Sequence, residues 1–387
     1  MAETLEGRDW SSYNLTVEQK INIDELIYVL SPMDLPLFTG VGADGLPVMP
    51  RQPVDNRTFY WLEEDIALPR ATLATTINNS VTSVVLNTGE AVKFSVGDAF
   101  RIDDEVFIVT DINLSSHTLT VATRGQRGTS AASHTAPAEV VGLGTSLAEG
   151  EIGTANYKGR DKYSNYTQIW SRSLEVTRTE QRIPKYGVPN ELNRQIANVM
   201  QHMGVSREQA ALYGVKYNDD NTEIRTTGGL DAFITSNENT TDDWLTVDSI
   251  EEQQQAAYNA GGMFNMLMSQ PQNFGALNNL AGSERIQTVT IDDARRGRRR
   301  ATTVLTEFGD VTLVRNRWCR AADAFGYDRE QFIYRDFQPM VLQRLAKTKD
   351  TDSYMIVCEG GFEVKGQDHA AKWSALDASA AFPTELV

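Results

Sequence analysis

The first residues that could do chemistry form a glycine spacing: Gly40-Val41-Gly42-Ala43-Asp44-Gly45 satisfies G-x-G-x-x-G. Such a loop holds a pyrophosphate only where a strand leads in and a helix opens at its end, aiming backbone N–H groups at the phosphates. Here Pro36 precedes it and Pro47 and Pro50 follow, and proline denies that helix. The segment reads as a loop. The four histidines, His117, His134, His202 and His369, fall in no H-E-x-x-H or other ligand spacing, and Cys319 and Cys358 stand apart with no CxxC. No G-x-S-x-G, Walker A or Cys/His pattern occurs. The acidic pairs Glu63-Glu64, Asp103-Asp104 and Asp242-Asp243 could serve acid–base or metal chemistry, but charge pairs at corners are usually solvated turns. These residues imply no cofactor and no metal. The remaining electrostatic feature is Arg295, Arg296, Arg298, Arg299 and Arg300, a basic run suited to packaged DNA, to an acidic patch on a neighbouring subunit, or to a solvated loop.

Bulk properties narrow the classes further. A formal charge of −16 argues against a chain whose main task is gripping nucleic acid. No apolar run approaches the ~20 residues of a membrane span. The N-terminus, Met1-Ala2-Glu3-Thr4-Leu5-Glu6, is acidic where a signal peptide requires positive charge. The chain is expected to be made in the cytoplasm and to stay there unless it leaves inside a larger particle. In that compartment the cysteines are expected as buried thiols.

The elements follow from periodicity. Residues 1–50 read as an arm with one helix at 16–30, after which Pro32, Pro36, Pro47, Pro50 and Pro53 keep the chain extended. RTFYWLEED at 57–65 reads as a strand ending in an acidic corner. Short strands at 83–86, 98–102, 106–110, 118–123 and 138–141 suggest a small barrel or sandwich, with a hairpin turn at Asp103-Asp104. Its expected apolar lining is Val84, Leu86, Phe100, Ile102, Val106, Ile108, Leu119 and Val121. A linker at 142–155 and a strand at 166–177 come next. The long helix at 189–213 carries the stripe Leu192, Ile196, Val199, Met200 and Met203. Ser249 with Glu252 reads as a capping box, and 263–269 as a buried strand. Further strands are expected near 302–306, 311–318 and 354–364, with 342–348 as a loop. The class is α+β without βαβ repetition.

This order of elements resembles the HK97-like fold of tailed-phage major capsid proteins. RDKYSNYTQIW at 160–170 is similar to the NYTQI segment of the SU10-type major capsid family, where it follows a strand matched here by residues 61–65. Tyr186-Gly187 before the long helix, Gly228-Gly229-Leu230 after it, Glu307 to Val311 with Asn316-Arg317, and the late run 345–364 fit the same family. The resemblance covers roughly 1–66 and 155–375, and the β-rich stretch at about 70–150 departs from it.

The resemblance implies an arm at 1–50, E-loop strands at 51–70 and 150–175, and a small all-β insertion domain at 71–149 carried on that loop. It implies a peripheral domain at 176–224 and 306–375 with its spine helix, an axial domain at 225–305, and a tail at 376–387. It also implies a subunit that self-assembles through pentamers and hexamers into an icosahedral shell around double-stranded DNA. Expected partners are other copies, a portal, a scaffold protein, decoration proteins and weakly held DNA, with no membrane. The expected location is the virion, assembled in the host cytoplasm. Phe59, Tyr60, Trp61, Glu63, Glu64, Asp65 and Trp170 are expected at contacts between subunits, because arm and hairpin cannot bury their aromatic rings alone. Two other readings stay open: a tail-tube or decoration subunit, suggested by the insertion, and a hydrolase using the acidic pairs.

Overall fold

In the computed structural model the described residues are 34–40, 47–64, 69–145, 160–183, 191–242, 244–275, 277, 286–289, 300–347 and 349–377. The expected arm helix at 16–30, most of the glycine-spaced loop and the tail beyond Asp377 lie outside them. The chain divides into two compact units, Trp61–Tyr163 and the remainder, Met1–Tyr60 with Ser164–Val387. It leaves the larger unit through the strand Thr58–Glu63 and returns through Asp161–Tyr166, which pair with each other.

In the larger unit, a four-stranded sheet places Arg51–Pro53 parallel to Phe332–Arg344, which pairs antiparallel with Thr351–Val364, which in turn pairs with Gln168–Thr177. Along Gln168–Thr177, Trp170, Leu174 and Val176 are buried while Ile169, Ser171, Ser173 and Glu175 are exposed. That is the two-residue period of a half-covered strand. The cover is the long helix Glu191–Tyr213, whose stripe Leu192, Ile196, Val199, Met200 and Met203 packs into the same core. The expected loop at 342–348 is a strand as far as Arg344, because a partner strand satisfies its backbone groups.

A seven-stranded sheet runs Glu238–Asn239, Ala371–Trp373, Ala324–Tyr327, Met266–Ser269, Gly309–Arg315, Arg300–Thr306, Ile286–Val289. Its central strands are covered on both faces. Met266, Met268, Phe325 and Tyr327 join the core shared with the long helix, while Leu267, Val311, Leu313 and Ala324 join a second core with Trp373 and the helix Val247–Asn259. Coverage on both sides is why Met266–Ser269 is apolar without alternation.

Within the stretch 306–375, Gly309–Arg315, Ala324–Tyr327 and Ala371–Trp373 enter the seven-stranded sheet, whereas Phe332–Arg344 and Thr351–Val364 enter the four-stranded one. Strand partners are chosen by long-range packing, which sequence order does not reveal. The helix expected to start at Ser249 starts at Val247, capped by Thr246, whose Oγ1 accepts from the Ser249 N–H at 3.1 Å. The Ser249 hydroxyl is instead buried, accepting from the Trp373 indole N–H at 2.8 Å.

The unit Trp61–Tyr163 holds a six-stranded sheet in the order Arg70–Thr72, Glu139–Thr145, Asp98–Ile102, Glu105–Asn113, Thr118–Val121, Ser83–Val85. It has its own core of Val84, Leu86, Phe100, Ile102, Leu119 and Val121, as expected, together with Phe107, Val109 and Val140. Val106 and Ile108 are only half-buried; Phe107 and Val109 take the inner face. The two-residue turn at Asp103-Asp104 pairs Ile102 with Glu105 and Phe100 with Phe107. Paired residues share a face, and the Phe100 and Phe107 rings stack at 4.9 Å.

Candidate functional site

The residues expected to seek a neighbour are mostly satisfied within the chain. Phe59 and Trp61 are buried and Tyr60 and Leu62 exposed, the alternation of a half-covered strand. Phe59 lies against Gly361: a Cβ there would stand 2.7 Å from the Phe59 ring and 2.8 Å from the Tyr166 carbonyl oxygen. Trp61 stacks on Tyr163 at 6.1 Å and donates its indole N–H to Glu63 at 2.9 Å. Trp170 lies in the main core, edge-on to Phe362 at 6.5 Å. The expectation that these rings need a partner's surface is therefore corrected for Phe59, Trp61 and Trp170. Tyr60 alone of the four faces outward. Glu64 pairs with Arg160 at 2.9 Å. Asp65, Arg295, Arg296, Arg298 and Arg299 lie outside the described residues, and of Arg300 only the backbone is described, at the start of Arg300–Thr306.

The NYTQI segment has a physical explanation in a buried polar junction. Asn165 donates from Nδ2 to Thr227 Oγ1 at 3.1 Å, the Gly228 carbonyl at 3.0 Å and the Phe362 carbonyl at 2.6 Å. Its Oδ1 accepts from the Gly228 N–H at 3.0 Å. Thr167 donates to Glu359 at 2.6 Å, Arg225 reaches the same carboxylate at 3.2 Å, and Gln168 Oε1 accepts from the Thr227 N–H at 3.2 Å. The segment thus ties the start of Gln168–Thr177 to 225–228 and to 359–362. Gly229 completes the junction, since a Cβ would fall 2.5 Å from the Ala210 carbonyl oxygen at the end of the long helix. Buried polar groups are costly unless paired, and here they pair across nearly 200 residues of sequence.

A second junction lies on the long helix. Glu208 is fully buried, and its Oε1 accepts from the Leu37 N–H at 2.8 Å and from Asn316 Nδ2 at 2.7 Å, while Oε2 has no hydrogen-bond partner. Burial pushes its pKa up to about 7, against the opposing pull of those two donors. Beside it Asp34 pairs with Arg317 at 2.9 Å and accepts the Trp318 indole N–H through its carbonyl at 2.8 Å. The Arg207 guanidinium lies over the Phe38 ring at 4.3 Å. Leu37 and Phe38 are thus pinned to the helix, and Asp34 to the turn that follows Gly309–Arg315.

In the smaller unit, buried Glu105 takes both arms of Arg124 at 2.8 Å and His134 Nε2 at 3.0 Å, and His134 Nδ1 meets Asp103 at 2.6 Å. Glu105 also accepts the N–H groups of Gly125 and Ala132 at 2.8 and 2.9 Å. Burial alone would raise its pKa, yet these donors together hold it down to about 2. A carboxylate so fully engaged is a structural anchor for the loop 124–134. The loop's Arg, Gly and His were the only sequence signal for it. Among the described residues no group of three or more His, Cys, Asp or Glu could hold a metal ion, and no helix is long and apolar enough to cross a membrane. Cys319 and Cys358 are buried free thiols.

A family model described as SU10 major capsid protein matches residues 10–377. No curated protein matches. Among solved structures, the capsid of Myoviridae phage XM1 is 9% identical with a TM-score of 0.51, over 96% of this chain and 100% of that one. A chain from Mycobacterium phage Adephagia is 10% identical with a TM-score of 0.46, over 95% and 96%. The SrpI encapsulin of Synechococcus elongatus is 11% identical with a TM-score of 0.42, over 58% and 78%.

Proposed function

The chain belongs to the SU10 major capsid protein family, and we propose on that premise how one subunit divides the tasks of a shell. The protein is a phage major capsid protein with an HK97-like α+β fold, and its copies associate to form the virion shell. The observation that carries this is the family match across nearly the whole chain.

In our reading the function is geometric and uses no catalytic group. Pentamers and hexamers close an icosahedral shell around double-stranded DNA. Residues 1–50 act as an arm and 51–70 with 150–175 as the hairpin that reaches a neighbour, with Tyr60 and Glu64 as its outward contacts. The run 295–300 docks on an acidic neighbouring surface, and DNA is held loosely, as suits subunits at −16. A portal, a scaffold protein and decoration proteins complete the particle, which is assembled in the host cytoplasm. Like charges on the subunits repel only within a Debye length of ~8 Å, so short-range packing governs closure. The test is to express the full chain and image it by negative stain. Closed shells or capsomers are expected; a strict monomer under every assembly condition overturns the reading.

A further inference from the structure

Two exposed surfaces at opposite ends of one strand complement each other in both apolarity and charge. The first is the hairpin formed by Tyr217–Asp219 and Ile224–Thr226. Tyr217 sits opposite Thr226 and Asp219 opposite Ile224, so these four share one face, while Asn218 and Arg225 share the other. Arg225 reaches inward to Glu359 at 3.2 Å and to the Thr167 carbonyl at 3.4 Å. The opposite face therefore points away from the body of the chain. It leaves Tyr217 52%, Ile224 56% and nearby Val215 68% exposed. Its turn carries Asp219, Asp220 and Glu223, and the flanking cations are both engaged elsewhere, Arg225 with Glu359 and Lys216 with the Ser164 hydroxyl at 3.1 Å.

The second surface is the short helix Arg178–Arg182 with the turn between Phe332–Arg344 and Thr351–Val364. Here Arg178, Arg182, Arg344, Lys347 and Lys349 stand against Glu180, Asp350 and Asp352, a local excess of cations in a strongly acidic chain. Asp352 alone accepts from Gln181, Arg344 and Lys347 at 3.0–3.4 Å. Arg182 and Lys349 are exposed, as are Ile183, which follows Arg182, and Leu342 and Leu345 at the end of Phe332–Arg344.

The two surfaces cannot meet within one molecule. The hairpin adjoins the start of Gln168–Thr177, where Thr227 donates to Gln168, and the basic turn adjoins its end, where Thr177 pairs with Thr351. Ten residues of strand separate them by about 33 Å. A surface that fits a different surface of the same chain generates head-to-tail contacts, which close into rings.

We propose that the hairpin 217–226 of one copy docks, through Tyr217, Ile224 and its acidic turn, on Arg344, Lys347, Lys349 and the helix Arg178–Arg182 of the next copy. This rests on the shell reading, in which further copies are the partner always at hand. Like charges across such a contact suppress it, and opposite charges set its register.

The test is a charge exchange in the full chain. One variant carries Asp219→Lys, Asp220→Lys and Glu223→Lys; a second carries Arg182→Glu, Lys347→Glu and Lys349→Glu; a third carries all six. Particles are counted by sedimentation beside the parent at low and high salt, and circular dichroism melts confirm that the unassembled subunits fold. Each single exchange is expected to lower the assembled fraction at low salt by roughly tenfold or more, and the sixfold exchange to restore it to within about threefold of the parent. Single-exchange variants that fold and assemble like the parent overturn the contact. So does a folded sixfold variant that stays as deficient as either single exchange. A parent that forms no particles counts against the shell reading itself.

Discussion

The carboxylate of Glu208 accepts a hydrogen bond from the Leu37 backbone N–H at 2.8 Å, joining residues 171 apart in a fully buried setting. The bond fastens the root of the N-terminal segment to the long helix. It places an ionisable group where water cannot share its charge, so proton binding there becomes a stability term.

The first prediction is a pH dependence. The folded pKa of Glu208, about 7, lies above its ordinary 4.5. The native state therefore binds the proton more tightly, and the contribution is fully present below the ordinary value. It is lost as pH rises from there through about 7. Glu208→Gln should remove this slope, so that denaturant unfolding of unassembled variant and parent diverges in the variant's favour from about pH 5 to about pH 8. The divergence should reach about 3 kcal/mol. Parallel curves across that range would refute the assignment.

The second concerns Asn165. Asn165→Ala leaves the Gly228 N–H unpaired in the interior and removes a donor from the Gly228 and Phe362 carbonyls. An unpaired buried polar group costs about 1–3 kcal/mol, so the unfolding free energy of the larger unit, measured with denaturant, should fall by about 3 kcal/mol. A loss below about 1 kcal/mol would mean that water or a backbone shift replaces the amide.

A third separates the two faces of the strand Glu105–Asn113. Phe107 is fully buried against Phe100, whereas Ile108 is half-buried. Phe107→Ala should destabilise the smaller unit by about 3–5 kcal/mol and Ile108→Ala by about 1 kcal/mol or less. Equal effects in thermal melts of the two variants would contradict the observed strand parity.

The last tests the independence of the smaller unit, which has a core of its own. Replacing residues 70–145 by a short Gly/Ser turn should leave a soluble, folded subunit with the remaining sheets intact. We expect its shells to disassemble at a lower temperature than those of the parent, as for a module that clasps a neighbour. A variant that cannot fold would show that the module supports the larger core; equally heat-stable shells would exclude the clasp.

Local periodicity and recognisable segments were legible in the chain alone. The stripe Leu192 to Met203 repeats at helical spacing, so it marked both a helix and the face that it buries. The run ending at Ser269 lacked alternation, which marked a strand covered on both sides. The NYTQI segment and the Gly228-Gly229 pair pointed to a family, though not to the polar junction they build. Tertiary structure decided whatever depends on a distant partner. Val106 to Val109 is apolar on both faces, so only the pairing across Asp103-Asp104 and the buried Arg124–Glu105 ion pair assign Phe107 inward. Phe59, Trp61 and Trp170 looked unpartnered because Gly361, Tyr163 and Phe362, which cover them, lie about 100 to 300 residues away. Glu208 looked like any helix-surface carboxylate, since solvent exposure is a property of the assembled layers and not of the helix that carries the residue.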